Sequence, residues 1–418
     1  MEDEEEFSIN QEEETQQILK VLEALKQASQ QLQTNPESNS SDSSDSSAIK
    51  ALLELDTEFG SDSLLSSDPN LLNLSHHISD LKTLISSLQK SKHNKHGRIK
   101  SFLTRRVKTH EITRVAESIE TEIQAWIDRE SIMNLTMQLQ QIRLLESSSS
   151  SYEEEEEVIE KLGFLHDRLS QGFNINLQDL LLRSKIFSEL EYLLCNCNVS
   201  LKVREKAGYA LKEVVLFNKD VFVGQVLMGE TIKALVSMDS LCSLEVLTSL
   251  IKAIRSPLVD VIESLNGISK VISYLDSEDF VIRVMAMDCV LEIGYFGRKE
   301  AVEAMLNCGL IKKLVELQRS EVGGDLIDLE KAHQKIEEEN QEQGVKKKRG
   351  YREKRYLERH PFASCVARFA VQLQVGEGLR QREKRGFKQE ILKKIREACD
   401  TDAEAATIVA EVLWGSSP

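Results

Sequence analysis

One pattern returns at a period near 40 residues and limits what this chain can become. A large apolar residue is followed at the third and sixth positions by two more. It occurs as Phe187-Leu190-Leu193, Ile232-Leu235-Met238, Ile268-Val271-Tyr274, Ile311-Leu314-Leu317 and Leu392-Ile395-Ala398. The first members stand 45, 36, 43 and 81 residues apart, the last step being close to two periods. This spacing marks one face of a helix. A second helical pattern, with small residues toward one side, precedes the later copies. It reads REKAGYAL from Arg204, SLEVLTSL from Ser243, RVMAMDCV from Arg283 and, more loosely, HPFASCVA from His360. The first three are 39 and 40 residues apart, and the two patterns keep their order in each copy.

A period of this length with two or three helices per unit is the signature of an armadillo or HEAT solenoid. A β-sandwich or barrel is excluded by the shortage of turn chemistry: 418 residues carry only five prolines, and aromatics are 5%. The small residues Ala207, Gly208 and Ala210 are then read as allowing close approach of a neighbouring helix, because a helical Gly otherwise costs about 0.5–1 kcal/mol relative to Ala. Gly224, Gly267 and Gly309 are assigned to turns before each third helix, where φ > 0 favours Gly. The expected fold is all-α: an N-terminal helical bundle followed by a right-handed armadillo-type α-solenoid.

The rest of the chain divides by composition. Residues 1–47 hold an acidic amphipathic helix over 12–33 and a Ser/Asp-rich stretch with little to bury. Residues 48–145 read as the helical bundle, with Ile112, Val115, Ile119, Ile123, Trp126 and Ile127 in one stripe. ESSSSSYEEEEE over 146–157 reads as a second linker. The solenoid is expected over 158–418, its fourth unit interrupted by a polar and then basic insertion at about 320–358. AEAATIVAEVLWG, from Ala403, is expected to cap the open end of the stack. No apolar run approaches the ~18–20 residues of a membrane span. Seven cysteines, an odd number set mostly in helical patterns, and the acidic start MEDEEEF suit a reducing compartment: the cytoplasm, with the nucleus as a second location.

HDRLSQGFN, LLLRSKIFSELEYLL and VREKAGYALKEVVLFNKDVFVGQVLMGETIKALVSM resemble plant armadillo-repeat proteins, including those related to plant U-box ubiquitin ligases. HPFASCVARFAVQLQVGEGLRQREKR and AEAATIVAEVLWGSSP are similar to the same group, so the resemblance spans about 158–418. A U-box opens on Cys-Pro and carries further prolines. Here no Cys-Pro occurs and no proline lies between Pro69 and Pro257. The resemblance therefore implies a non-catalytic protein–protein scaffold or adaptor, with an accessory role in ubiquitin ligation as one alternative.

Catalytic, cofactor and metal sites are not called. Cys195-Asn196-Cys197 and His93-x-x-His96 lack a second ligand pair nearby. There is no GxGxxG, GxxxxGK[ST] or HExxH, and VGEGLRQREKRG with Gly376 and Gly378 follows a helix rather than a strand. What remains is surface. The polar positions of the third helices, Lys233, Ser237, Ser269, Ser273, Lys312, Lys313 and Glu316, are the candidate groove, basic enough to favour acidic or phosphorylated partner segments. A net charge of −16 argues against general nucleic-acid binding. It is unevenly placed, however. KSKHNKHGRIKSFLTRRVK over 90–108 contains no acid, and Lys346, Lys347, Lys348, Arg349, Arg352, Lys354 and Arg355 form a tract like a nuclear import signal. Polyanion binding by these tracts, to nucleic acid or an anionic membrane surface, is the second alternative.

Overall fold

A computed structural model of the chain describes residues 98–144, 152–324 and 359–414, together with Leu74, residues 76–81 and 83–84, and Leu357. The expectations for residues 1–47, for most of 48–97 and for the tract Lys346–Arg355 lie outside the described residues. Every regular element among the described residues is helical. The first three are α1 (Arg98–Leu144), α2 (Tyr152–Ser170) and α3 (Ile175–Ser184).

Contacts divide the described residues into two compact units. One runs up to Asn134 and includes Asn174–Ser184; the other takes Leu135–Phe173 and everything from Lys185 on. This differs from a division at a linker over 146–157. The acidic run is helical from Tyr152 because it lies directly ahead of the stripe Val158, Leu162, Leu165 and Leu169, all buried. A helix favours carboxylates in its first turn. In the first unit α1 is continuous through Val107–Glu111. Its buried stripe is Ile112, Ala116, Ile119, Ile123, Trp126 and Ile127; Val115, expected in it, is only half-buried. The side chain of Asn174 caps α3 by accepting from the Leu177 amide at 3.0 Å.

The second unit begins its regular stacking at α4 (Ile186–Cys195). Three repeats follow, each a long, a middle and a short helix. They are α5 (Leu201–Phe217), α6 (Lys219–Met228) and α7 (Thr231–Ser237); α8 (Leu241–Ile254), α9 (Ser256–Ser264) and α10 (Gly267–Ser273); α11 (Phe280–Phe296), α12 (Lys299–Asn307) and α13 (Leu310–Arg319). A fourth has α14 (Cys365–Val375), then loop 376–380 where a middle helix would be, then α15 (Gln381–Ala398). α16 (Asp402–Trp414) packs on α14 and α15. Like packs on like. The long helices α2, α5, α8, α11 and α14 stack in that order, and the middle helices α6, α9 and α12 do the same. On the short side α4, α7 and α10 stack, and α15 packs on α13.

Starts are set locally. Ser240 caps α8 in a reciprocal capping box with Ser243, and Asp279 caps α11 through the Val281 amide at 2.8 Å. The period-40 apolar pattern falls on α4, α7, α10, α13 and α15, and most of its members are fully buried. Burying one such side chain is worth about 1.5–3 kcal/mol. That term, repeated in each unit, holds the stack together.

The glycines divide differently from the sequence expectation. Gly309 does adopt the left-handed conformation, with φ 76°. Gly224 sits inside α6 rather than in a turn. Before α10 the positive φ belongs to Asn266, at 55°. Gly267 is there for space, since a Cβ would stand 3.0–3.1 Å from Ile262 and Val236. Gly208 is not a close-approach glycine. A Cβ there would meet Leu194 Cδ1 at 3.6 Å and Cys242 Sγ at 3.7 Å, which is ordinary contact. Gly208→Ala is therefore expected to stabilise by about 0.5–1 kcal/mol, the helix-propensity difference. A lower urea midpoint for that variant would show that the methyl does not fit.

The insertion begins and ends at one place. The Phe362 amide donates to Val322 O at 3.4 Å and the Ser364 amide to Gly324 O at 2.9 Å. It departs from the turn between α13 and α14, so it lies between the third and fourth repeats rather than within a helix pair.

Candidate functional site

Six of the seven groove residues expected from sequence fall at equivalent places. Lys233, Ser269 and Lys312 each follow the first buried Ile of α7, α10 and α13, and Ser237, Ser273 and Glu316 lie one turn on. Their polar groups are largely occupied at home. The Ser237, Ser269 and Ser273 hydroxyls donate to carbonyls of their own turns, those of Ala234, Asn266 and Lys270, at 2.6–3.0 Å. Lys233 pairs with Glu230 at 2.8 Å and Lys312 with Glu316 at 4.0 Å. Lys313 is bound to Asp276 of the preceding repeat.

That last contact belongs to a series of rungs between repeats. Glu191 Oε1 of α4 accepts from the Thr231 amide at 2.9 Å and its hydroxyl at 2.6 Å, at the start of α7. Asp239, after α7, takes Lys270 at 2.6 Å and the Tyr274 hydroxyl at 2.5 Å. Those two donors hold its carboxyl below the usual Asp range. Arg319 closes the series with a two-point contact to Glu404, both distances 2.9 Å. The charges of the short-helix side thus serve stacking, each exposed pair contributing about 0–1 kcal/mol.

The long helices offer a different surface. At 3.6 residues per turn their outward faces carry Leu201, Glu205, Tyr209, Lys212 and Leu216 on α5. Leu241, Glu245, Ser249 and Lys252 follow on α8, then Val281, Met285, Asp288, Glu292 and Tyr295 on α11. Fixed bonds cross from helix to helix: Tyr209 donates to Glu245 at 2.7 Å, and Lys252 reaches Glu292 at 3.5 Å. Burial, then the hydrogen bond to Glu245, pushes the Tyr209 phenol up, so it remains a donor. Beside this polar strip the first turn of each long helix leaves a large apolar residue in solvent: Leu201 (48% exposed), Leu241 (36%) and Val281 (51%). The signal for these was present in the sequence. Each follows within two residues of an N-terminal Ser200, Ser240 or Asp279, at the same 39–40-residue spacing.

No set of three or more His, Cys, Asp or Glu able to hold a metal occurs among the described residues. Cys195 and Cys197 are free thiols, and burial raises Cys195 to about 11, far from a reactive thiolate. A cavity of about 620 Å³ opens between α13, α16 and the two ends of the insertion, lined by Gln318, Arg319, His360, Glu404 and Thr407. Arg319 is already neutralised there by Glu404 and Asp400. No helix among the described residues is long and apolar enough to cross a membrane.

Three-helix repeats stacked like on like make this an armadillo-type α-solenoid. No protein-family model matches the chain, and no curated protein does. Among solved structures it is similar to a designed armadillo repeat protein, at 13% identity over 66% of this chain and 99% of that one, TM-score 0.41. It is also similar to computationally designed armadillo repeat proteins for modular peptide recognition, at 13% identity over 67% and 98%, TM-score 0.40. A third is a designed armadillo repeat protein in complex with the peptide (KR)4, at 14% identity over 68% and 99%, TM-score 0.38. At these scores the repeat assignment rests on the helices themselves.

Proposed function

We propose that this chain is a non-catalytic interaction scaffold that holds an extended segment of a protein partner across the outward faces of α5, α8 and α11. The observation that carries this reading is the row Leu201, Leu241 and Val281, exposed on three successive helices beside a strip of inter-helix hydrogen bonds. Apolar anchors supply affinity, and fixed polar groups beside them supply register and specificity. On the short-helix side expected from the sequence, the serine hydroxyls bond within their own turns and Lys313 is bound to the preceding repeat.

Leu241→Glu with Val281→Glu is expected to abolish capture of the partner by the full chain. Both residues lie in a first helical turn, where a carboxylate suits the helix dipole, so circular dichroism and melting should stay unchanged. Lys312→Glu with Lys313→Glu is expected to retain capture. The opposite outcome, loss only with the lysine pair, would move the site to α7, α10 and α13.

A further inference from the structure

α15 presents a row of arginines to solvent. Its apolar face, Phe387, Ile391 and Ile395, is buried, and α15 packs on α13, α14 and α16. On the opposite side Arg382, Arg385 and Arg396 are exposed. At 100° per residue the three arginines fall within about 60° of arc and span about 21 Å of helix. Lys388 and Lys393 flank them within about 140°. The acids of this helix lie to one side and are engaged. Glu383 accepts from the Arg380 amide at 2.8 Å, Glu390 is 3.9 Å from Lys394, and Glu397 is 3.8 Å from Lys393. No hydrogen bond or ion pair to the three arginines occurs among the described residues. In a chain of net charge −16, a straight row of uncompensated guanidinium groups is a departure that stacking does not require.

We propose that this face of α15 binds the phosphodiester backbone of a duplex nucleic acid without reading its sequence. The chemistry selects among anions. Guanidinium forks pair with phosphate oxygens at two points and stay charged at any physiological pH. The row has no exposed apolar or aromatic anchor. It therefore lacks the hot spot a peptide partner needs and the inserting face a membrane-surface helix needs, since that face of α15 is in the core. It also lacks a ring on which unpaired bases would stack, which favours a duplex over a single strand. The surface is separate from the α5–α8–α11 strip, and either assignment can fail alone.

The test is fluorescence anisotropy of the full chain against labelled 20-base-pair duplexes of DNA and of RNA, at several salt concentrations between 50 and 200 mM. Arg382→Gln, Arg385→Gln and Arg396→Gln together are the variant, all three exposed, with circular dichroism as the check on folding. Both duplexes, or one of them, should bind, and the triple variant should lose at least tenfold at 100 mM salt. Its log K against log salt slope should fall by about 2.7, near 0.9 for each phosphate contact removed. Absence of duplex binding at 50 mM salt overturns the proposal. So does an unchanged slope in the triple variant, which would place binding in the tracts over 90–108 or Lys346–Arg355. Tighter, arginine-dependent binding to phosphatidylserine vesicles or to a phosphopeptide than to either duplex overturns it as well.

Discussion

Replacing Phe369 with alanine is expected to destabilise the stacked repeats by about 3–5 kcal/mol, the range for deleting a buried aromatic side chain. The ring of Phe369 is wholly buried in α14 and lies against α11 where residue 294 is glycine. A Cβ at position 294 would stand 2.9 Å from ring atom Cε2 and 3.3 Å from Cδ2. The ring and the missing side chain form one joint between the third and fourth repeats. Gly294→Ala alone should cost about 1–3 kcal/mol through overpacking, less the ~0.5–1 kcal/mol a helix gains from Ala. In the Phe369→Ala background the added methyl has room, and the same substitution should become stabilising. Urea melts of the four proteins measure this change of sign. Equal effects of Gly294→Ala in both backgrounds would mean that α11 and α14 do not meet at this point.

Gly378→Ala is the second large effect, expected to cost about 3 kcal/mol or more. Loop 376–380 takes the place of a middle helix and lies directly on the end of α11. The amides of Glu377 and Gly378 both donate to Tyr295 O, at 2.8 and 3.2 Å. A Cβ on Gly378 would clash with the carbonyl oxygen of Gly297, and one on Gly376 with that of Tyr295. Neither obstacle is a side chain that can turn away. Moving the loop also disturbs buried Lys384, whose ammonium closes the end of α14 by donating to Gln374 O at 2.9 Å and Gly376 O at 2.7 Å. Buried carbonyls left without a donor add about 1–3 kcal/mol. A Gly378→Ala protein that melts with the wild type would refute this loop placement.

The two glycine cases show where a single sequence stops being informative. Gly208 sits in the most conspicuous small-residue helix, yet its surroundings leave room for a methyl. Gly294 sits beside Tyr295 and Phe296 with no local mark of crowding, yet a ring 75 residues further on fills its space. The same holds for the surface. Lys313 reads as a free groove cation on a helix face, and only the stacked repeats bring Asp276 to it. Likewise the basic row of α15 is scattered in sequence among Glu383, Glu390 and Glu397, and the helix separates the two signs by angle.

What the sequence alone determines here is the repeating unit: which residues of each helix turn inward, and where an insertion departs. Those features follow from interactions within a turn or two of chain, and from an apolar period that is the same whichever neighbour covers it. Three things are decided only by the tertiary structure. They are which outward residues stay free for a partner, which charges are consumed as rungs between repeats, and which glycines are pressed against another part of the chain. Each depends on atoms brought together from about 30 to 85 residues apart, and contact at that range leaves no period in the sequence to be read.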